Sequence, residues 1–368
     1  MARRILFLSD VDSSHTRKWA ISLATRGYEV GIFSLRKSEL KWWTTYPNIQ
    51  VFDEHGFSTA TFQGGLAGKL KYVKLLPYLK KIITSFQPHL VHAHYATSYG
   101  LLGALSRFQP FVISVWGSDI YDFASRSFLH KKMIQFNLNR AKGVFSTSHV
   151  MAREIRKYYS GSVAVTPFGV DVNLFSPGVS ASLRHPNEII IGTVKSLEPA
   201  YGIDTLITAF AEVRQRFTGN VRLIIGGDGS QRKHLEQLTG ELKCDDVVTF
   251  LGQIEHHQVP DCHRSFDVFV ALSREESFGV ALVEAMACGK PAVVSNASGF
   301  QEVAVSGITA LVVPKNEPGK AADAILHLLN NLELRKQMGD AARQRVLENY
   351  DWEKNLDTVE SLYDKMMP

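Results

Sequence analysis

Cysteine is scarce in this sequence, and long apolar runs are missing from it. The 368 residues include 3 cysteines, which have neither the density of a disulfide scaffold nor the spacing of metal ligands. No stretch approaches the roughly 20 apolar residues that span a membrane, and the apolar run Ile5–Leu8 is too short for a signal peptide. These absences predict a protein of the reducing cytoplasm without a membrane span.

Acidic residues are sparse in the first half of the chain. Residues Met1–Pro177 contain 22 Lys and Arg against 10 Asp and Glu, a balance of +12, whereas the remainder carries −7. This asymmetry predicts that one domain meets an anionic surface or ligand, although a solvated basic face has the same composition. A hydrophobic share of 45% and a charged share of 21% are typical of globular proteins.

Short apolar runs alternate with amphipathic segments of helical length. This pattern predicts an α/β protein with two doubly wound parallel sheets. The polar, proline-containing stretch after Thr166 predicts domains at residues 1–168 and 169–350, followed by a last helix within 351–368. The predicted strands are Arg4–Ser9, Glu29–Ser34, Leu90–Ala93, Phe111–Val115, Gly143–Thr147, Ile189–Val194, Val221–Ile225, Val247–Phe250, Val268–Ala271 and Ala292–Val294. The predicted helices are Thr16–Arg26, Leu70–Ser85, Tyr99–Arg107, Thr205–Phe217, Ser230–Thr239, Val280–Cys288, Lys320–Asn330 and Trp352–Lys365.

The segment after strand Val268–Ala271 has the richest chemistry. A polar loop leads into a helix that begins near Gly279, so the free amides of Ser277–Val280 should face the crevice where parallel strands end. Glu276 precedes this turn and Glu284 lies one helical turn after it. The two carboxylates would flank one anion site, where one could hold sugar hydroxyls and the other ribose hydroxyls. The alternative is an acidic loop and an ordinary surface glutamate.

This segment resembles the signature of glycosyltransferase family 4. Other landmarks of that family follow or precede it in order, including an interdomain linker at residues 167–177 and a glycine-rich turn at 226–229. The resemblance implies a retaining, nucleotide-sugar-dependent enzyme with the GT-B architecture, in which two Rossmann-like domains face a central cleft and the last helix packs back on the N-terminal domain. The matching signature positions are Ser273, Glu276, Ser277, Phe278, Gly279 and Glu284.

The resemblance also implies how a nucleoside-diphosphate sugar would bind in the C-terminal domain. Glu284 would hold the ribose, the amides at the helix start the pyrophosphate, and the backbone near Gln253 and Ile254 the base. Glu276 would contact the transferred sugar and act in catalysis. The implied donor-binding residues are Gly227, Gln253, Ile254, Ser277, Phe278, Gly279, Val280 and Glu284.

The chain departs from the family pattern at two places: the cations that clamp the pyrophosphate, and a histidine on the acceptor side of the N-terminal domain. Relatives have an arginine and a lysine that clamp the pyrophosphate, whereas this chain offers Lys195, with Ala200 or Tyr201 at the place of the second cation. A histidine of the N-terminal domain is replaced by Trp116, which leaves Asp119 as the polar candidate there. The residues expected to act in catalysis are therefore Glu276, Asp119 and Lys195. The acceptor-binding residues expected in this domain are His15, His94 and Trp116.

The expected reaction transfers a hexose or N-acetylhexosamine to a glycan or lipid-linked oligosaccharide in cell-surface polysaccharide synthesis. A UDP-sugar is favoured as donor and GDP-mannose comes next, with no cofactor, no obligatory metal and no nucleic-acid partner. The histidine pair His92 and His94 could hold a metal, but an acceptor or phosphate contact for His94 is preferred. The alternatives are a GT-B epimerase or phosphorylase, and a non-catalytic nucleotide-sugar-binding protein.

A last expectation concerns the membrane. The segment Leu66–Phe86 interleaves lysines with aliphatic residues, a pattern that an interfacial helix and an ordinary core-facing helix share. With a basic N-terminal domain, it favours peripheral attachment to the anionic inner face of the cell membrane. The lysines concerned are Lys69, Lys71, Lys74, Lys80 and Lys81.

Overall fold

The computed structural model of the chain describes residues 2–55, 71–121, 123, 126–180, 183, 185 and 187–367. It contains two compact units, each built on a parallel sheet, which confirms the predicted fold class. Unit 1 comprises Met1–Thr166 together with Thr358–Pro368, and unit 2 comprises Pro167–Asp357.

Unit 1 has a seven-stranded sheet in the order β3-β2-β1-β4-β5-β6-β7, with every described pairing parallel. The central strands are buried along their whole length, which explains their continuous apolar sequences. The strands are β1 (Arg4–Leu8), β2 (Glu29–Phe33), β3 (Ile49–Phe52), β4 (Leu90–His94), β5 (Phe111–Val115), β6 (Gly143–Ser146) and β7 (Val163–Val165). The helices are α1 (Ser14–Thr25), α2 (Leu76–Phe86), α3 (Ser98–Ser106), α4 (Ser118–Tyr121), α5 (Phe128–Arg140) and α6 (His149–Ile155).

Unit 2 has a six-stranded parallel sheet in the order β10-β9-β8-β11-β12-β13. Its strands are β8 (Glu188–Val194), β9 (Asn220–Gly226), β10 (Val248–Gly252), β11 (Val268–Ala271), β12 (Ala292–Ser295) and β13 (Ala310–Val313). Its helices are α7 (Ile203–Arg216), α8 (Arg232–Glu241), α9 (Val259–Ser265), α10 (Val280–Ala287), α11 (Ser298–Val303), α12 (Pro318–Leu329) and α13 (Leu332–Asn349); α14 (Trp352–Asp364) begins in unit 2 and ends in unit 1.

Each sheet has one point at which its strand order reverses. In unit 1 the reversal lies between β1 and β4, and in unit 2 it lies between β8 and β11. Connections leave such neighbouring strands toward opposite faces of the sheet, so a crevice opens at their carboxyl ends, where α/β proteins bind ligands. A ligand site is therefore expected at the loops that follow these four strands.

The segment predicted as one long basic helix is divided in the structure. A 3₁₀ turn, Lys71–Leu75, precedes α2, because Pro77 lies in the first turn of the helix, where a missing N–H is tolerated. Leu79 and Ile82 are buried in the core, and the exposed side of this segment presents Lys71, Lys74, Lys80 and Lys81. Leu66 and Lys69 lie outside the described residues.

Among the described residues, no helix has both the length and the apolar character that crossing a membrane requires.

Candidate active site

The loop between β11 and α10 forms the centre of the candidate site in unit 2. Gly279 precedes the first residue of α10 with a φ of 101°, a left-handed conformation that favours glycine. A Cβ atom there would lie 2.9 Å from the ring of Phe300. In the described part of the chain, the amides of Ser277, Phe278, Gly279 and Val280 donate to no protein acceptor. The residues of the predicted anion site thus form a row of free donors at a helix N-terminus, and the binding of an anion there stays a prediction.

Close packing fixes the conformation of this loop. The amide of Gly299, in α11, donates to the carbonyl of Glu276 at 2.9 Å, and a Cβ at Gly299 would lie 2.5 Å from the Phe278 nitrogen. The Phe278 ring contacts the rings of Phe168 and Tyr350, with centroids 5.9 and 5.6 Å away. This packing holds the free amides in a defined geometry, which is the arrangement that electrostatic stabilisation requires.

An ion pair crosses the point where the strand order of unit 2 reverses. Lys195 follows β8, Glu276 follows β11, and Lys195 Nζ lies 2.6 Å from Glu276 Oε2. The two side chains are only 18% and 9% exposed. Lys195 Nζ also lies 4.2 Å from the centroid of the Tyr201 ring, a cation–π contact. Two of the three residues predicted for catalysis are therefore partners, and Tyr201 rather than Ala200 contacts the predicted cation.

The other donor-binding candidates line the neighbouring loops. Gly227 has a φ of 127°, its amide donates to the Gly252 carbonyl at 2.7 Å, and a Cβ there would overlap the Lys195 carbonyl oxygen. Glycine is thus needed to hold the loop that carries Lys195. Gln253 is exposed just after β10, and the Ile254 side chain covers Gly226. The contact of Gln253 and Ile254 with a base stays a prediction.

The three predicted acceptor residues lie together in unit 1. The His94 ring lies tilted against the Trp116 ring with centroids 4.4 Å apart, and the His15 ring meets Trp116 edge-on at 5.4 Å. His94 is fully buried, accepts or donates a hydrogen bond at 2.8 Å between Nδ1 and Ser9 Oγ, and its Nε2 has no hydrogen-bond partner in the described chain. Burial, with the nearby His92 and His15, holds the pKa of His94 well below its usual range, so the ring is neutral.

Asp119 has a different environment from the one expected of a catalytic group. Its side chain is buried, and its two carboxylate oxygens accept the amides of Ala96 at 2.7 Å and Gly117 at 2.9 Å. Burial raises the pKa of Asp119, although these backbone hydrogen bonds favour its charged form. The carboxylate joins the loops after β4 and β5, which favours a positioning role, and its catalytic assignment stays a prediction.

Two family models match the chain. The model described as glycosyl transferases group 1 matches residues 179–345, and the model described as glycosyl transferase 4-like matches residues 4–148. The chain belongs to the GT-B glycosyltransferases of the family 4 type. The resemblance carried by the signature residues is therefore confirmed.

Known relatives of this glycosyltransferase extend over nearly its whole length. The N-acetyl-alpha-D-glucosaminyl L-malate synthase of Bacillus anthracis is 26% identical over 364 residues, which cover 93% of this chain and 90% of the relative. Sucrose-phosphate synthase from Thermosynechococcus elongatus superposes with a TM-score of 0.85 at 23% identity, covering 99% and 98% of the two chains. HepE of Anabaena, solved in complex with UDP and glucose, gives 0.78 at 20% identity, with 99% and 100% covered. These two structural likenesses show the fold alone.

Sequence reasoning missed a histidine beside the predicted ribose ligand of the glycosyltransferase. His263 lies in α9, is fully buried, and its Nε2 is 3.7 Å from Glu284 Oε2. Neither of its ring nitrogens has a hydrogen-bond partner among the described residues. No motif marks this histidine, because only the packing of α9 against α10 brings it to Glu284.

The histidine pair His92 and His94 is not arranged as two ligands of one metal. His92 Nδ1 lies 2.6 Å from the hydroxyl of Tyr363, and its Nε2 lies 2.7 Å from Ser114 Oγ, so both ring nitrogens are engaged. The described residues contain no group of three His, Cys, Asp or Glu side chains that could hold a metal ion.

Proposed function

We propose that this glycosyltransferase moves a hexosyl or N-acetylhexosaminyl group from a UDP-sugar to a glycan or lipid-linked acceptor, in the synthesis of a cell-surface polysaccharide. The observation that most directly supports this proposal is the row of free amides at Ser277–Val280, which Glu276 and Glu284 flank along the chain. A diphosphate fits such donors, and a carboxylate on each side fits a hydroxyl-rich group. We favour UDP because HepE, a neighbour in fold, was solved with it, and GDP-mannose is the second candidate.

The proposed roles follow from the chemistry of each group. Glu284 accepts hydrogen bonds from the ribose hydroxyls and Glu276 from the transferred sugar, while the backbone at Gln253 and Ile254 meets the base. Lys195 pairs with Glu276, and Glu276 directly precedes Ser277, the first residue of the row of free amides. This pairing supports Lys195 as the cation of the proposed diphosphate site. Donors that are fixed before the reaction stabilise the charge that develops on the leaving group.

The proposed reaction retains the anomeric configuration. The bond between the anomeric carbon and the diphosphate oxygen breaks, and a bond to the acceptor oxygen forms on the same face of the sugar. The acceptor's proton passes to the departing diphosphate oxygen, which makes a dedicated protein base unnecessary. Catalysis then consists mainly of positioning the two substrates and stabilising the leaving group.

We also propose that the acceptor binds the unit 1 surface near His15, His94 and Trp116, and that no resident metal is required. Activity should then persist in excess EDTA, and a complete loss of activity that is restored by Mg²⁺ or Mn²⁺ would contradict the proposal that no metal is required.

The basic balance of the first half of the chain supports peripheral attachment of the enzyme to the anionic inner face of the cell membrane.

A two-step experiment tests the proposed reaction. First, the melting temperature is measured with UDP, GDP and a panel of their sugars, because a ligand that binds the native state raises it. Second, the donor that gives the largest shift is incubated with lipid-linked and oligosaccharide acceptors, and the anomeric configuration of the product is read by NMR. A shift with GDP alone would refute the UDP assignment, and an inverted product would refute the retaining mechanism.

A further inference from the structure

Large apolar side chains are exposed on α5 of unit 1. Phe128 is 69% exposed, Leu129 is 62% exposed and Phe136 is 38% exposed. At 100° per residue these three positions lie on one side of the helix, opposite the buried residues Ile134 and Leu138. Three large exposed apolar side chains on one face of a single helix indicate a candidate interaction surface.

Cations surround these apolar side chains. Lys132 Nζ lies 5.3 Å from the centroid of the Phe128 ring, and the Arg140 guanidinium lies 5.5 Å from that of Phe136. Between Phe123 and Arg153 the sequence contains six Lys and Arg residues and no Asp or Glu. We call the set Phe128, Leu129, Lys132, Phe136 and Arg140 the α5 face. Lys131 flanks this face, with its ammonium 5.8 Å from the centroid of the Tyr158 ring.

We propose that the α5 face inserts into an anionic lipid bilayer and is the membrane-contact surface of unit 1. Phe and Leu side chains enter the boundary between headgroups and acyl chains, while Lys and Arg extend their charges to lipid phosphates. This inference rests on the proposed function of the enzyme at the membrane, and it identifies the surface that contacts the bilayer. It differs from the expectation for residues 66–86, which stays a prediction: α2 buries Leu79 and Ile82 and packs Leu76 and Ile83 partly against the core, so its exposed side offers the bilayer mainly charge.

The charge and shape of the α5 face decide among possible occupants. A second copy of the chain would bring two sets of cations together, which is unfavourable. An acidic protein would pair with the cations but would not require the protruding Phe128 and Leu129. A bilayer accommodates both the apolar side chains and the cations, and the basic balance of +12 in the first half of the chain would add long-range attraction.

Direct insertion can be measured with an environment-sensitive fluorophore. The native cysteines are buried, and burial raises the pKa of Cys262 and of Cys288 to about 12, so Leu129→Cys adds the readily labelled thiol. The NBD label at position 129 should shift to the blue with vesicles of phosphatidylcholine and phosphatidylglycerol (7:3). The matched control is Leu332→Cys in unit 2, where the native residue is 73% exposed and the label should not respond.

Co-sedimentation with the same vesicles tests which side chains act. Lys131→Gln/Lys132→Gln/Arg140→Gln should weaken binding roughly a hundredfold at low salt, and Phe128→Ser/Leu129→Ser/Phe136→Ser at least about tenfold. Leu332→Ser should bind like the wild type. Binding that survives both triple substitutions, or that needs the cations but not the apolar residues, would overturn the proposal. The proposal would also be overturned if the protein formed a dimer without lipid and the triple serine substitution dissociated that dimer.

Donor affinity separates this inference from the proposed reaction. Both triple variants should bind UDP with unchanged affinity and retain the wild-type melting temperature, since the α5 face lies in unit 1 and the proposed donor site in unit 2. A labelled α5 face that responds to vesicles in a protein that binds no UDP would refute the proposed reaction and leave the membrane surface intact. Turnover of a UDP-sugar by a protein whose label does not respond to vesicles would refute the membrane surface and leave the proposed reaction intact.

Discussion

Lys195 is the residue that supplies the positive charge in the proposed stabilisation of the leaving group. Its ammonium lies against the Glu276 carboxylate and over the Tyr201 ring, so the loop after β8 and the loop after β11 meet at one charge. The sequence predicted Lys195 and Glu276 as separate functional residues, because the signature fixes only the spacing along the chain. Their ion pair depends on β8 and β11 being neighbours in the sheet, which no local pattern reports.

Lys195→Ala should lower kcat/KM about 10- to 100-fold, because it removes a charge-assisted contact and leaves the Glu276 carboxylate without its partner. Tyr201→Lys in that background should recover part of the loss, since the Tyr201 ring lies under the native ammonium. Lys233→Ala, at an exposed lysine of α8, is the matched control. A mild defect at Lys195 without rescue would show that another group supplies the charge.

The two glutamates of the site should separate by kinetic signature. Glu284→Gln should weaken UDP binding by about 1.5–3 kcal/mol through the lost charge-assisted ribose contact, measured by calorimetry. Glu276→Gln should instead lower kcat with a smaller effect on UDP affinity, because UDP lacks the transferred sugar. Equal losses of UDP affinity in both variants would contradict this division of roles.

Secondary elements were predictable where burial is continuous and less so at the sheet edges. The structure adds β3, β7 and β13 to the predicted strands, and each lies at an end of its sheet. All three are short, and their burial is interrupted or partial, so their apolar runs are weaker signals than those of the central strands. The predicted helix across residues 70–85 is also wrong at its start: the apolar periodicity continues through the 3₁₀ turn Lys71–Leu75, but Pro77 is tolerated only in the first turn of the α-helix.

The beginning of α10 offers a test at the scale of one element. Gly279→Ala places a Cβ in a left-handed conformation that costs about 1–2 kcal/mol and presses it against Phe300, so the first turn of α10 must shift. UDP affinity should fall, because the free amides move from their positions. Gly240→Ala in α8 is the control, since a Cβ there meets no atom within 4 Å. Full UDP affinity in Gly279→Ala would mean that these amides do not bind the diphosphate.

At the scale of the whole molecule, unit 1 is completed by the last residues of the chain. Tyr363 is fully buried, hydrogen-bonds His92 and stacks near Phe145 with centroids 6.3 Å apart. Arg3 pairs with Asp364 as well. The individual partners could not be predicted from sequence, because these contacts join the two ends of the chain and no motif records them. Formation of unit 1 therefore depends on closing a loop that contains all of unit 2.

Burial of neutral histidines in unit 1 predicts that its stability depends on pH. Burial lowers the pKa of His92 to about 3 and holds that of His94 well below its usual value, whereas both titrate near 6.5 when unfolded. Above pH 7 both states are neutral and stability is constant. Below about 6.5 only the unfolded state takes up protons, so the free energy of unfolding should fall by about 1.4 kcal/mol per histidine at pH 5.5.

Urea unfolding followed by tryptophan fluorescence at pH 7.5 and 5.5 measures this loss. Four of the five tryptophans belong to unit 1, so the signal reports mainly on that unit: Trp19, Trp42, Trp43 and Trp116. His92→Gln should reduce the pH dependence by one proton, because the amide can replace the ring as a partner of Tyr363 without titrating. His257→Gln, at an exposed histidine of unit 2, should leave it unchanged. Equal stability of the wild type at both pH values would show that the buried rings take up protons in the folded state.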